Sequence, residues 1–253
     1  MSGYTICSIQ CGSPIQRNLS LPTDEVARRN ILRSMKTQKL EDARKFMSRK
    51  LLHLNPLHAM SEERRFENDE GDYWSVRFTT SQFEPARSVK QVFDLVVYFL
   101  SNSEISISEK TGHLTVREDD DNGSPGIAQH RLVSTTEKGL HMEWNTIMFY
   151  EYCEADSYGL IVSEFVDEDE KYPYRPTTRI RKDVNVVMEV RAYSGKPHEI
   201  QDKTVVLTLW SYHHLLRPVF PVPQDAWVEL RESMDRWTQN MHKTIMESLD
   251  PTI

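Results

Sequence analysis

The stretch 158–176, YGLIVSEFVDEDEKYPYRP, decides the fold of this chain. Its first half is apolar and rich in β-branched residues, which is typical of a buried strand. The second half opens with four consecutive acids, Asp167–Glu170, and contains two prolines among tyrosines. Carboxylates that follow one another along an extended or turning chain point in different directions, so they rarely converge on one metal ion. We therefore interpret the acidic run as a solvated turn between two strands and predict no metal site there.

Strand patterns surround this stretch on both sides. Downstream, DVNVVMEVRAY places its apolar residues on one face and its polar residues on the other. Upstream, GIAQHRLVSTT and LHMEWNTIMFYEY flank Glu137–Gly139, which predicts a hairpin. EISISEK and HLTVRED are predicted to form another hairpin around Thr111 and Gly112, and YWSVRFTTSQF and KTVVLTLWSYHH also alternate. Together these patterns indicate an antiparallel sheet with one face exposed to solvent.

Two amphipathic helices accompany the predicted sheet. Residues 85–102 carry Ser88 and Gln91 at the spacing of a capping box, followed by an apolar stripe. Residues 223–249 repeat apolar side chains every three or four positions, which is the clearest helical pattern in the sequence. Because such a stripe has to pack against another element, we predict an α+β fold in which the last helix lies against the sheet.

A basic segment precedes the sheet. Residues 23–52 are predicted to be helical, but the absence of leucines at every seventh position excludes a leucine zipper. The segment is either a solvated basic helix or a contact for nucleic acid or a protein partner. The candidate contact residues are Arg28, Arg29, Arg33, Lys36, Arg44, Lys45, Arg49 and Lys50. Residues 1–22 show no clear period, and residues 53–71 are predicted to be a polar linker.

The bulk composition narrows the possible functions. The formal net charge of −7 argues against broad nucleic-acid binding, which depends on contacts between cations and phosphates. Neither a GxGxxG nor a P-loop string occurs, nor do the G-x-S-x-G and HExxH motifs of common hydrolases. We therefore expect no cofactor and no catalytic residues.

Other features point to an intracellular, soluble protein, cytoplasmic or nuclear. The three cysteines fit a reducing compartment better than a disulfide framework, and the start of the chain lacks a secretory signal. The apolar runs are too short to span a bilayer. The run 118–123 is superficially similar to a calcium-binding loop, but the twelfth position from Asp119 is His130 instead of glutamate.

The order of elements resembles the START-like, or helix-grip, superfamily, in which a bent antiparallel sheet wraps around a long C-terminal helix and encloses an apolar cavity. More closely, the stretches 117–135, 158–176, 181–193 and 205–223 resemble the oomycete mating-specific protein family. Proteins of that family join a basic or zipper-like helical region to a START-like C-terminal part. The resemblance covers about Arg64 to Leu249. Together with the patterns above, the resemblance divides the chain into an irregular N-terminus (1–22), a basic helical extension with a linker (23–63) and a START-like domain (64–250).

If a cavity exists, its candidate lining residues lie on the strands and on the closing helix. They are Met142, Trp144, Met148, Val162, Glu164, Met188, Met234, Trp237 and Met241. Methionines adapt their shape and suit a loosely specified apolar ligand; the alternative is that these residues simply fill the core. Glu164 either faces water or, if buried, needs a partner such as Arg191 or the polar head of a ligand.

These observations predict a non-catalytic domain that binds a hydrophobic or lipid-like ligand in an internal cavity, in a regulatory role. The alternative is a protein-interaction module of a transcription-related protein. In that case the core is filled by the chain's own side chains, and the basic helix contacts a partner or DNA.

Overall fold

The computed structural model describes residues 13–118, 124–194 and 203–249, with backbone alone for Lys110, Ser233 and 235–239. The strands are β1 (Ser20–Leu21), β2 (Met60–Glu67), β3 (Tyr73–Phe83), β4 (Leu114–Arg117), β5 (Ile127–Thr135), β6 (His141–Cys153), β7 (Tyr158–Phe165), β8 (Glu168–Asp169), β9 (Ile180–Ser194) and β10 (Lys203–Leu215). The helices are α1 (Glu25–Leu51), α2 (Val89–Ser101), α3 (Ser103–Thr111) and α4 (Gln224–Leu249).

Eight of these strands form one sheet in the order β2-β3-β10-β9-β7-β6-β5-β4. Neighbouring strands in this order are antiparallel, and β6 makes an additional short parallel pairing with β9. The sheet, the long helix α4 and the N-terminal helix α1 confirm the predicted α+β class. The predicted linker is wrong for residues 60–67, because β2 pairs with β3 there. Its charged sequence, MSEERRFE, is typical of an edge strand and lacks the alternation by which strands are recognised.

The segment EISISEK is helix α3 and not the predicted strand. Alternating isoleucines fit a strand, but packing of α3 against α4 and β4 overrides that local preference. Gly112 is therefore the C-cap of α3 instead of a hairpin turn. Its φ of 76° lies in the left-handed region, and its N–H donates to the carbonyl of Ser108.

Helices α2, α3 and α4 cover one face of the sheet, which we call the inner face. Helix α2 begins as predicted, since Ser88 Oγ accepts a hydrogen bond from the N–H of Gln91 at 3.1 Å. Its side chains join Met148, Met188 and residues of α4 in one buried cluster. Gly159 of β7 lets the Phe93 ring approach the sheet, where a Cβ atom would overlap it. A second cluster at the other end of α4 contains Trp144.

Helix α1 covers the opposite face, which we call the outer face. Leu32, Leu40, Ala43 and Met47 of α1 are buried in one cluster with side chains of β3, β6, β7, β9 and β10. The predicted solvent-exposed face is therefore wrong, because α1 and the segment before it cover much of that face. The polar residues that suggested exposure, such as Asn185, are buried beneath this layer.

Candidate ligand cavity

A cavity of about 90 Å³ lies between the inner face of the sheet and helices α2, α3 and α4. Its apolar walls are formed by Leu100, Ile107, Leu132, Met142, Trp144, Val184, Val186 and Met234. Its polar lining consists of Ser103, Thr111, His113, His130, Ser134, Thr146, Ser163, Lys182 and His213. The arrangement combines apolar surface with hydrogen-bonding groups, as small-molecule sites commonly do.

Strand register explains why these polar groups share one floor. Thr146 of β6 pairs with His130 of β5, so both side chains point to the inner face. On the other side of the floor, His213 of β10 pairs with Val184 of β9. Lys182 lies two residues before Val184 and therefore on the same face, with its Nζ 5.3 Å from the centroid of the Trp144 ring.

The two histidines of the floor are held in their neutral form. His130 is buried, and desolvation together with the charge of Arg117 lowers its pKa to about 4. Burial likewise lowers the pKa of His213 well below the ordinary histidine value, and Lys182 and Arg77 add to that effect. His213 is only 7% exposed, and its Nδ1 makes no hydrogen bond to any described residue. A buried imidazole nitrogen without a partner is unusual and marks this part of the floor.

The predicted lining residues divide into four groups. Met142, Trp144 and Met234 line the cavity. Met148, Met188 and Met241 lie in the adjoining inner-face cluster, where they fill the core. The side chain of Trp237 lies outside the described part of the structure.

The fourth group, Val162 and Glu164, was placed on the wrong side of the sheet. Both residues lie on the outer face, because their strand neighbour Ser163 is the one that points into the cavity. The Glu164 carboxylate is buried against Lys39 of α1, which forms an ion pair with it. Burial raises the pKa of Glu164, while the Lys39 ammonium opposes that shift. Arg191, the partner expected from the sequence, instead lies over the Tyr158 ring at 4.6 Å.

The acidic run also differs from its interpretation as a solvated turn. Glu168 and Glu170 are exposed, but Asp169 is 4% exposed and belongs to the two-residue strand β8, which pairs with β1. Its carboxylate accepts hydrogen bonds from both terminal nitrogens of Arg28 at 2.7 and 2.9 Å. It also accepts from the side chains of Gln129 and Asn145 and from the N–H groups of Lys171 and Tyr172. Burial disfavours the charged carboxylate, but these donors outweigh burial and hold the pKa of Asp169 below its ordinary value.

Several cations of the predicted basic contact surface face the protein itself. Arg28 was wrongly assigned to that surface, since it is 4% exposed and bound to Asp169. Arg33 donates to Ser124 Oγ, and Lys36 donates to the carbonyl of Pro125. Arg44 lies over the Tyr158 ring, and Lys50 over the Phe46 ring. Arg33 and Arg44 remain exposed despite these contacts, and Arg29, Lys45 and Arg49 are exposed as well.

The described residues contain neither a metal-binding cluster nor a helix that could span a membrane. Within residues 13–118, 124–194 and 203–249, no group of three His, Cys, Asp or Glu side chains is placed to hold a metal ion. The acidic run 119–123 and the cysteines Cys7 and Cys11 lie outside the described residues. No helix in the described ranges is long and apolar enough to cross a membrane.

Sequence reasoning missed the polar half of the cavity. Lys182 and His213 were not recognised, although strand alternation places Lys182 in phase with Val184, Val186 and Met188. Ser103, Ile107 and Thr111 were missed because α3 was assigned as a strand. His130 and Thr146 lie on the same faces as Leu132 and Trp144, so alternation alone was sufficient to find them.

Several solved structures are similar to this chain at low identity. One is the human StarD13 (DLC2) lipid transfer and protein localization domain, with 7% identity, a TM-score of 0.42, and coverage of 74% of this chain and 90% of that one. Another is Ara h 8.0201, with 9% identity, a TM-score of 0.33, and coverage of 69% and 99%. A third is the di-domain ARO/CYC BexL from the BE-7585A biosynthetic pathway, with 12% identity, a TM-score of 0.36, and coverage of 90% and 62%. No protein-family model and no curated protein matches this chain.

Proposed function

We propose that this chain is a non-catalytic START-like module that binds an apolar or lipid-like molecule in the inner-face cavity, in a regulatory role. The observation that carries this proposal is the cavity floor, where Nδ1 of the buried His213 has no hydrogen-bond partner among the described residues, beside apolar walls. An unpaired buried polar atom costs free energy unless a ligand or water pairs with it. The regulatory role, and membership of the oomycete mating-specific family, rest on the sequence resemblance.

The size of the cavity limits how a ligand is held. Small-molecule sites commonly measure about 300–1,000 Å³, whereas this cavity measures about 90 Å³. It therefore accommodates one end of an amphiphile, and the remainder of a long chain lies outside the cavity. Near its start, α4 is tied to the rest of the molecule by polar pairs at or near the surface. These are Lys138 with Asp225 and Glu229, His113 with Glu229, and Glu67 with Arg231.

Ligand binding is tested by thermal unfolding with hexanoate, decanoate and myristate, together with native mass spectrometry of the purified protein. A ligand that binds the folded state raises the melting temperature with its concentration. Ser163→Phe places a phenyl group in the cavity and is expected to abolish the shift. Ser101→Phe adds the same group at an exposed position outside the cavity and serves as the matched control.

The outcomes of this experiment are distinct. A saturable rise in melting temperature that is lost in Ser163→Phe and kept in Ser101→Phe supports the cavity. No co-purifying molecule and no shift with any of the three probes refutes ligand binding. An equal shift in both variants places the binding elsewhere on the surface.

The second candidate is the protein-interaction module with a filled core. The observation that favours it is the same small volume, since Met148, Met188 and Met241 are buried in the core cluster beside the cavity. The exposed cations of α1 that are available for such a contact include Arg29, Lys45 and Arg49, besides Arg33 and Arg44. Binding to a duplex oligonucleotide that falls steeply with salt, and is lost in Arg29→Glu/Arg49→Glu, supports a nucleic-acid partner. Salt-insensitive or absent binding refutes it.

A further inference from the structure

We infer that the molecule bound in the inner-face cavity carries a carboxylate, which Lys182 and His213 bind while Leu132, Trp144 and Met234 contact its apolar part. This inference rests on the proposed function, because it names the chemical class of the ligand for the same cavity. Three kinds of observation carry it: the placement of Lys182 and His213, the charges around the cavity, and the polar atom that lacks a partner.

Strand register brings the two polar groups together. His213 pairs with Val184 across β10 and β9, and Lys182 lies two residues before Val184 on the same face. Lys182 and His213 are therefore diagonal neighbours on adjacent strands, a spacing that long side chains span. The Lys182 ammonium also lies 5.3 Å from the centroid of the Trp144 ring. This places the cation at the junction of the polar floor and the apolar wall, where the head of an amphiphile meets its tail.

The charges around the cavity favour an anion. Its described lining contains Lys182, His113, His130 and His213, and none of the described lining residues is Asp or Glu. Around His213, Lys182 of β9 and Arg77 of β3 contribute positive charge, and Glu63 of β2 opposes them. Near the other histidines, Glu104 faces His130, and Glu229 contacts His113 at 3.2 Å. Neither Glu104 nor Glu229 belongs to the described lining of the cavity.

The hydrogen-bonding groups of the cavity floor also match a carboxylate. A carboxylate offers several acceptor sites, and an ammonium and a neutral imidazole N–H are donors that match them. Nδ1 of His213 is buried without a partner among the described residues, and in the tautomer with the proton on Nδ1 it donates to a carboxylate, which satisfies this atom. Hydrogen bonds between an ammonium and a carboxylate are stronger than those between neutral groups. An amine of the same length instead meets the repulsion of Lys182.

The test compares decanoate, decanol and decylamine, which share one alkyl chain and differ in the head group. Isothermal titration calorimetry on the full chain at neutral pH measures each dissociation constant. We expect decanoate to bind at least about tenfold more tightly than decanol, and decylamine to bind more weakly than both. Lys182→Met is expected to reduce the decanoate preference to about one, while Lys182→Arg retains it. Lys203→Met, at an exposed position at the start of β10, is the matched control.

Each outcome decides a different claim. Decanol that binds as tightly as decanoate overturns the carboxylate inference and leaves the ligand-binding proposal standing. A preference for decanoate that persists in Lys182→Met assigns the carboxylate to another site and also overturns the inference. Absence of binding by all three probes refutes the proposed function itself. The wild-type comparison of decanoate with decanol decides the inference even if Lys182→Met fails to fold.

Discussion

The outer and inner faces of the sheet bury polar groups in opposite ways. On the outer face, the carboxylates of Glu164 and Asp169 are each bound by a cation of α1, Lys39 and Arg28 respectively. On the inner face, the described cavity lining contains an ammonium and three imidazoles but no carboxylate, and Nδ1 of His213 has no partner in the described part of the chain. The outer-face ion pairs hold helix α1 against the strands that carry the two carboxylates. A buried polar atom without a partner among the described residues is the observation on which the proposed ligand site on the inner face rests.

The two outer-face carboxylates differ from each other as well. Asp169 accepts hydrogen bonds from both Arg28 nitrogens and from four further donors, so its pKa is lowered despite burial. Glu164 is bound by Lys39, its Oε1 accepts no hydrogen bond from any residue that the structure describes, and burial raises its pKa. The number of donors, and not burial alone, thus decides which carboxylate is held in its charged form.

The largest expected effect is the loss of the buried Lys39 ammonium. Lys39→Ala leaves Glu164 buried without its cation, which is expected to lower the free energy of unfolding by about 3–5 kcal/mol. Lys39→Met/Glu164→Leu removes both charges and is expected to recover most of that loss. Chemical denaturation measures both variants. A single variant as stable as the wild type contradicts the assignment of this pair to the core.

On the inner face, Gly159→Ala probes how closely α2 approaches the sheet. The added methyl group overlaps the Phe93 ring, so we expect a loss of about 1–3 kcal/mol in the free energy of unfolding. In a Phe93→Leu background the same substitution is expected to cost less, because the aromatic ring is absent. Equal costs in both backgrounds would show that this contact does not position α2.

The dependence of stability on pH is expected to distinguish the two outer-face carboxylates, Glu164 and Asp169. Because the folded-state pKa of Asp169 lies below its ordinary value of 3.8, the ionised carboxylate stabilises the fold at pH values above 3.8. This contribution is lost as the pH falls through the folded-state pKa. The raised pKa of Glu164 means that its ionised form costs stability, and this cost disappears as pH falls towards 4.5. The wild type should therefore gain stability relative to Glu164→Gln on acidification towards 4.5. At lower pH it should lose stability relative to Asp169→Asn.

Denaturation curves of the three proteins between neutral and acidic pH measure these differences. If both differences change in the same direction with pH, the opposite assignments for Glu164 and Asp169 are wrong.

The smallest effect is expected for the exposed pair of Lys90 and Asp94 on α2. Lys90→Ala should leave the denaturation midpoint unchanged within error, because exposed ion pairs are weakened by solvent and salt. This variant is the surface counterpart of Lys39→Ala. A comparable loss in both variants would mean that burial does not distinguish the two pairs.

Local patterns were sufficient for much of the fold. The alternation in β9 and the apolar stripe of α4 specified both elements, since each depends on nearby residues. The pairing of Lys39 with Glu164 joins residues 125 positions apart, and no local pattern indicates it. For this reason the outer face was predicted to be exposed, and Glu164 was assigned to the cavity. Strand alternation was sufficient to place Lys182 on the cavity face. It was not chosen there because it is charged and the candidates were mainly apolar residues.

The most direct test of the account measures ligand binding in two variants that alter opposite faces of the sheet. Decanoate titrations compare the wild type, the inner-face variant Ser163→Phe and the outer-face variant Lys39→Met/Glu164→Leu. The account predicts that decanoate binds the outer-face variant as tightly as the wild type and does not bind Ser163→Phe. Unchanged binding to Ser163→Phe, or its loss in the outer-face variant alone, would contradict the assignment of the ligand site to the inner face.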